Sequence, residues 1–292
     1  MKLVHSVHSA TNTNKLMGGR INRVDFPETI ELISKMLDDV GVDYGVNLFD
    51  RLLGSAAHAE SCGDIDIAVN TVPASAILKL KSHPTALSVN KTGTVVSIVV
   101  KIPGCPVIDL DRCYNGYVQV DLMAGDVEWN KQFYYSDPSS RFKGAHRNTL
   151  ISAYLFQIHR THALIADPEA TDNSFIQTDS GPIFSPTRGF CYRVGKRPVN
   201  WDMTPKRKGY DYTYELGLYD IEEAAEQYFG QYNSNAFQNV ELLYQTINQQ
   251  FSSFEAGRIY KSYVREYLPR HLLGDEYPWH LVPLIDRARQ SL

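Results

Sequence analysis

Two apolar stretches of this chain carry carboxylates at alternating positions, and nothing else in it constrains the fold as much. Gly63-Asp64-Ile65-Asp66-Ile67 runs into Ala68-Val69, and Val118-Gln119-Val120-Asp121-Leu122 repeats the pattern. In a β-strand, alternate side chains share a face. Asp64 and Asp66 therefore point one way, while Ile65 and Ile67 point into a core. Val118, Val120 and Leu122 alternate with Gln119, Asp121 and Met123 in the same manner. If the two strands are neighbours, Asp121 reaches the Asp64/Asp66 pair. Gly54-Ser55, just after the apolar run Val46–Leu53, lies a short way upstream.

These residue types point to phosphoryl transfer to a hydroxyl. A hard divalent cation takes oxygen ligands, and two such ions can clamp the attacking and leaving oxygens. A Gly-Ser turn offers backbone N–H groups and a hydroxyl to a phosphate. An Asp-x-Asp alone is common on the wet face of a strand. The conjunction of a turn, an Asp-x-Asp in one apolar strand and a third Asp in another is far more specific. Asp109 and Asp111 form a second Asp-x-Asp. They lie between Pro106 and Gly116 and follow no Gly-Ser turn, so Asp64/Asp66 is the preferred pair.

The stretch from Gly54-Ser-Ala-Ala-His-Ala-Glu-Ser-Cys-Gly to Asp64-Ile-Asp-Ile67 resembles the signature of the DNA polymerase beta-like nucleotidyltransferase superfamily. It is closest to the palm region of the family X DNA polymerases. Phe133-Tyr-Tyr-Ser136 and Arg141-Phe-Lys-Gly-Ala-His-Arg147 also resemble the family X segment after the third aspartate, which holds the incoming nucleotide's sugar and base. The resemblance covers about residues 44–155. It implies transfer of an NMP from a nucleoside triphosphate to a hydroxyl, with pyrophosphate leaving. Asp64, Asp66 and Asp121 would be the catalytic metal ligands for two Mg2+ ions, with Mn2+ an alternative. Gly54, Ser55, Lys143 and Arg147 would hold the triphosphate. The family's arginines after Gly-Ser are replaced here by Ala56, Ala57 and His58, so Lys143, Arg147 and Arg141 are the nearest cations. The roughly fifty residues before Gly54 are fewer than the DNA-gripping domains of that family need. The acceptor expected is a nucleic-acid 3′ end. A small molecule or a protein hydroxyl is the alternative, as is a non-catalytic binding or structural protein on the same fold.

The expected fold is α/β of the α+β kind: a palm-like mixed sheet with helices, then a mainly helical C-terminal region. A polar arm over residues 1–24 precedes a domain over 25–165, and the C-terminal domain takes 166–292. Asp25 and Pro27 start a helix that Gly41 ends. Tyr44–Leu53, Asp64–Val69, Thr94–Lys101, Tyr117–Met123 and Trp129–Tyr135 read as strands, and His83–Gly93 as a loop. A long helix from Ala145 would carry His159 and His162 at i, i+3, a pair better explained by a structural role than by a metal. Residues 167–190 read as a linker or loop region, and 188–214 as a basic aromatic stretch. Arg188, Arg193, Lys196, Arg197 and Lys206-Arg207-Lys208 alternate there with Tyr192, Trp201, Tyr210, Tyr212 and Tyr214. That is the composition of a surface for single-stranded nucleic acid, and equally of a twisted hairpin whose aromatics pack locally.

The 292 residues carry a net charge of −4, so any nucleic-acid contact must come from a local patch. Cys62, Cys105, Cys113 and Cys191 form no Cys-x-x-Cys pair, which argues against zinc. With no signal-peptide core and no apolar run of membrane-spanning length, the expectation is a cytoplasmic protein without a membrane partner.

Overall fold

The computed structural model describes residues 19–105, 116–140, 144–166, 175–200, 202, 204–205, 209–215 and 217–263. They form two compact units, one ending at Gly144 and one beginning at Ala145. The division therefore falls at the start of the long helix, ahead of the composition change near residue 166 that suggested it.

The first unit opens with β1 (Ile21–Asn22) and α1 (Phe26–Val40). The last residues of the expected arm are thus ordered: Ile21 pairs with Cys62 and is fully buried. Helix α1 has proline in its first turn and ends where Gly41 turns left-handed at φ 78°. Its stripe of Ile30, Ile33, Leu37 and Val40 joins the core. Then come β2 (Ser61–Cys62), β3 (Asp64–Val69), α2 (Ala74–Ser82), β4 (Ser88–Thr92), β5 (Val95–Lys101), β6 (Tyr117–Ala124) and α3 (Val127–Phe133). The main sheet has the order β3-β6-β5-β4, with β3 parallel to β6 and the other pairs antiparallel. This is the mixed sheet expected.

Three elements differ from the sequence reading. Residues 44–53 form no strand. The Asn47 side chain accepts from the Phe49 N–H and starts a 3₁₀ turn over Leu48–Arg51. Only the end of the apolar run meets the sheet, where the Leu53 N–H donates to the Asp66 carbonyl at 2.9 Å. The stretch from Trp129 is helix α3, because the Asp126 side chain caps the Trp129 N–H at 2.7 Å. Part of the expected loop before Gly93 is β4, which turns into β5 through Gly93 at φ 60°.

The second unit holds α4 (Gly144–Ile158), β7 (Thr161–Ala166), β8 (Phe175–Ser185), β9 (Gly189–Val199), β10 (Asp211–Tyr214), α5 (Ile221–Phe229), α6 (Val240–Gln250) and α7 (Ser253–Ser262). The described part is not mainly helical: β10-β9-β8-β7 is a four-stranded antiparallel sheet. Helix α4 stops short of His159 and His162, which share no helix face, and His162 lies on β7. Asp179 is fully buried on β8. Arg160 clamps it with two nitrogens, and His162, Arg193 and the Tyr212 hydroxyl also face it. A carboxylate so surrounded can sit inside a strand, so the polar composition of this stretch does not make it a linker. At the other end of the β8–β9 hairpin, Phe184 stacks on Phe190, and Phe190 packs on Phe237 and Tyr228 of the helical layer. Helix α7 starts with a Ser252/Glu255 capping box. Residues 264–292 of the expected helical region lie outside the described residues. Among the described residues, no helix is long and apolar enough to cross a membrane.

Candidate metal centre

The three carboxylates meet as their spacing predicts. β3 and β6 run parallel, and their register sets Asp66 opposite Asp121 and Asp64 opposite Gln119. The ligand oxygens of Asp64, Asp66 and Asp121 all lie within 4.8 Å of one another. Ile65, Ile67, Val118, Val120 and Leu122 are each fully buried on the opposite face and hold the two strands in place. The cluster is built from the core outward: the apolar residues fix the strands, and the pleat puts the acids on one side.

Electrostatics make this cluster a poor place for three bare negative charges. Burial pushes the Asp66 carboxyl well above the usual carboxylate range, and the charges of Asp64 and Asp121 push it further. A cation would relieve that repulsion. The donor set, three carboxylates and no thiolate or imidazole, suits a hard ion such as Mg2+ or Mn2+.

Gly54 sits against this group. Its φ is 55°, and a Cβ there would lie 3.6 Å from Asp66 Oδ2 and 3.5 Å from the Tyr134 carbonyl. The bond between Leu53 and the Asp66 backbone holds it in position. Ser55 follows in a 3₁₀ turn over Gly54–Ala57, its carbonyl accepting from the His58 and Ala59 N–H groups. The side of this turn opens on a cavity of about 290 Å³, lined among others by Leu53, Gly54, His58, Lys131 and Tyr135. His58 Nε2 is 2.8 Å from the Ser136 carbonyl, which ties the turn to the segment after α3.

Of the other expected nucleotide-binding residues, Lys143 lies outside the described residues, as do Arg141, Asp109 and Asp111. Arg147 belongs to the second unit. It is buried there, and its Nε and Nη2 donate to Asn148 Oδ1 at 3.1 and 3.0 Å. His146 Nδ1 is 3.1 Å from the Tyr263 hydroxyl.

Three further residues bear on the site. Gln119 Nε2 donates to both carboxylate oxygens of Asp121, each at 3.0 Å, and so fixes its orientation. The sequence held the signal, since Gln119 is two residues before Asp121 and must share its face. Tyr134 faces the same charges: burial raises its hydroxyl to about 12, with Asp66 and Asp121 adding to the shift. Lys131 lines the cavity beside Gly54 and pairs with Glu128 at 2.8 Å. Cys62 is beside the acids but inert. Burial, then Asp64 and Asp66, push its thiol up to about 12, so it stays protonated.

Replacing Gln119 by leucine should free the Asp121 carboxylate to rotate. Removing such a supporting partner typically costs 10–100-fold in metal affinity or activity. Titrating Mn2+ into both proteins tests this, and equal affinities would make Gln119 a bystander.

Compared with protein-family models and with curated proteins, the chain finds no match.

Proposed function

We propose that this protein is a metal-dependent nucleotidyltransferase, moving an NMP from a nucleoside triphosphate to a hydroxyl acceptor with release of pyrophosphate. The acceptor we propose is a nucleic-acid 3′ end. The observation that carries the reading is the convergence of Asp64, Asp66 and Asp121 beside Gly54. Asp64 and Asp66 would hold two Mg2+ ions, and Asp121 the one nearer the acceptor. When bound, the metal neutralises charge on the phosphates and lowers the pKa of the acceptor hydroxyl. Asp121, held by Gln119, orients that hydroxyl and helps take its proton. The hydroxyl oxygen attacks the α-phosphorus, and the bond from that phosphorus to the bridging oxygen of the β-phosphate breaks. Gly54 leaves room beside Asp66 that a side chain would take, so the Gly54-Ser55 turn can approach the triphosphate.

Incubating the protein with each labelled triphosphate, Mg2+ and a panel of RNA and DNA ends tests the proposal. Labelled product one nucleotide longer, with pyrophosphate, is expected. No transfer to any nucleic acid or small hydroxyl acceptor would overturn it.

A thermal melt gives a second test. Magnesium and a triphosphate together should raise the melting temperature more than either does alone, because each removes a charge penalty for the other. At a ligand concentration of 100 Kd the stabilisation is about 2.7 kcal/mol. A melt unmoved by every metal–nucleotide combination would favour a non-catalytic protein on this fold.

A further inference from the structure

The second unit carries a surface that the carboxylate chemistry does not use. Tyr210, Tyr212 and Tyr214 alternate along β10 and the residue before it, so they share one face of the sheet. An arginine from the β8–β9 hairpin covers each ring. Arg197 Cζ is 4.5 Å from the Tyr210 centroid, Arg193 is 4.5 Å from Tyr212, and Arg188 is 4.1 Å from Tyr214. Gly195 makes this packing possible. A Cβ there would fall 2.5 Å from Tyr212 Cε1, so only glycine lets that ring lie against the strand. Tyr212 and Tyr214 remain exposed at 38% and 39%.

The charge on this face is one-sided. Among the described residues, Arg160, Arg193 and His162 face Asp179, which Arg160 grips with two nitrogens, while Arg188 and Arg197 lie over tyrosine rings. Asp211 and Glu215 alternate to the opposite face. The guanidinium donors are not used up internally. Arg197 donates to the neutral Gln177, and the guanidiniums of Arg193 and Arg188 lie over the exposed rings of Tyr212 and Tyr214. A guanidinium has five donors in a plane and keeps them for phosphate while stacked on an aromatic ring.

We infer that this arginine–tyrosine ladder binds single-stranded nucleic acid. Flat rings and guanidinium planes recur every second residue along the strand, and each offers a stacking step to a base, with cationic donors beside it for the backbone. That combination is how sequence-tolerant single-strand binding works. A duplex keeps its bases stacked inside and gains only the charge contacts. The binding stands on the ladder itself. Its use in delivering an acceptor rests on the transferase reading above.

The test uses the full chain and 5′-labelled single strands of RNA and DNA, with the matching duplexes and polyglutamate as competitors, across a salt series. Single strands should bind more tightly than duplex, and polyglutamate should compete poorly. The variant R188A/Y214A removes one exposed stacking pair outside the Asp179 cluster, so its melting temperature should match the parent. Its single-strand affinity should fall by about tenfold, in line with the removal of one stacked base. The slope of log affinity against log salt should become shallower by about 0.7, because one fewer phosphate is neutralised. R188K should keep the slope and lose part of the affinity, because the charge remains and the stacking plane goes. Single-strand binding equal in R188A/Y214A and parent, or equal competition by polyglutamate, overturns the inference. The two proposals fail separately. Ladder-dependent binding without transfer to any end leaves this inference standing and removes the catalytic one. Transfer to 3′ ends with an unchanged KM in R188A/Y214A does the reverse.

Discussion

Replacing Asp66 by asparagine should reduce nucleotidyl transfer to background and, at the same time, raise the melting temperature of the metal-free protein. The first effect follows from ligation. An amide cannot supply the charge that balances a divalent cation, and the metal's contribution to the transition state is on the order of several kcal/mol. The second follows from the environment of Asp66. Burial and the charges of Asp64 and Asp121 raise its folded-state pKa above the unfolded value of about 4. Between those two values the folded protein holds a proton that the unfolded chain has released. Stability from this group is therefore full at low pH and declines as pH rises through the window. Asparagine has no proton to lose and escapes the decline. The gain in melting temperature should thus be largest near neutral pH and vanish below about pH 4. Activity assays paired with melts at pH values on either side of that window check both halves. A variant that keeps wild-type turnover would show the site to be wrongly assigned. One that loses both activity and stability at neutral pH would mean that Asp66 serves the fold.

Asp179→Ala should have the largest effect on stability. Asp179 is fully buried between the bidentate Arg160, Arg193 at 3.5 Å, His162 at 3.8 Å and the Tyr212 hydroxyl at 3.4 Å. Removing it leaves two guanidiniums facing each other. Breaking a fully buried pair costs about 3–5 kcal/mol. The Arg160 and Arg193 side chains keep 23% and 25% exposure, so solvent offsets part of this, and a loss of roughly 2–4 kcal/mol is expected. The pH dependence has the opposite sign to that of Asp66. Burial pushes the Asp179 carboxyl up, but the hydrogen bonds and charge of Arg160, helped by Arg193 and His162, outweigh it and hold the pKa below the usual range. The stabilisation is therefore present above about pH 4 and lost as pH falls through the lowered value. Hydrogen exchange at the β8 and β9 amides measures the change in the sheet itself. Equal protection in parent and variant would show that the cluster adds nothing.

The carboxylate cluster was legible in the sequence because strand periodicity is a local property. Asp64, Asp66 and Asp121 needed only the alternation around them and the assumption that the two strands pair. Lys131 was not legible as a cavity neighbour, because its place depends on α3 being a helix. That in turn hangs on a single side-chain bond from Asp126 to the Trp129 N–H. The second sheet was hidden for a different reason. Its strands are polar, and a buried Asp179 reads as loop composition until its arginine partners are seen in space. Helix α1, with proline at one end and glycine at the other, was readable because both stop signals are in the chain itself.

The parallel pairing of β3 with β6 has a consequence for how the acids come together. β4 and β5 join through a tight turn, and β6 then adds beside β5 across the next connection. β3 reaches β6 only across everything between them, so its pairing carries the longest loop closure in the sheet. A chain with only its local hairpin formed has Asp121 without Asp66, and no cage of oxygens for an ion. Any ion the three carboxylates hold could thus be captured only once the sheet is complete, since a half-made chain offers only scattered carboxylates.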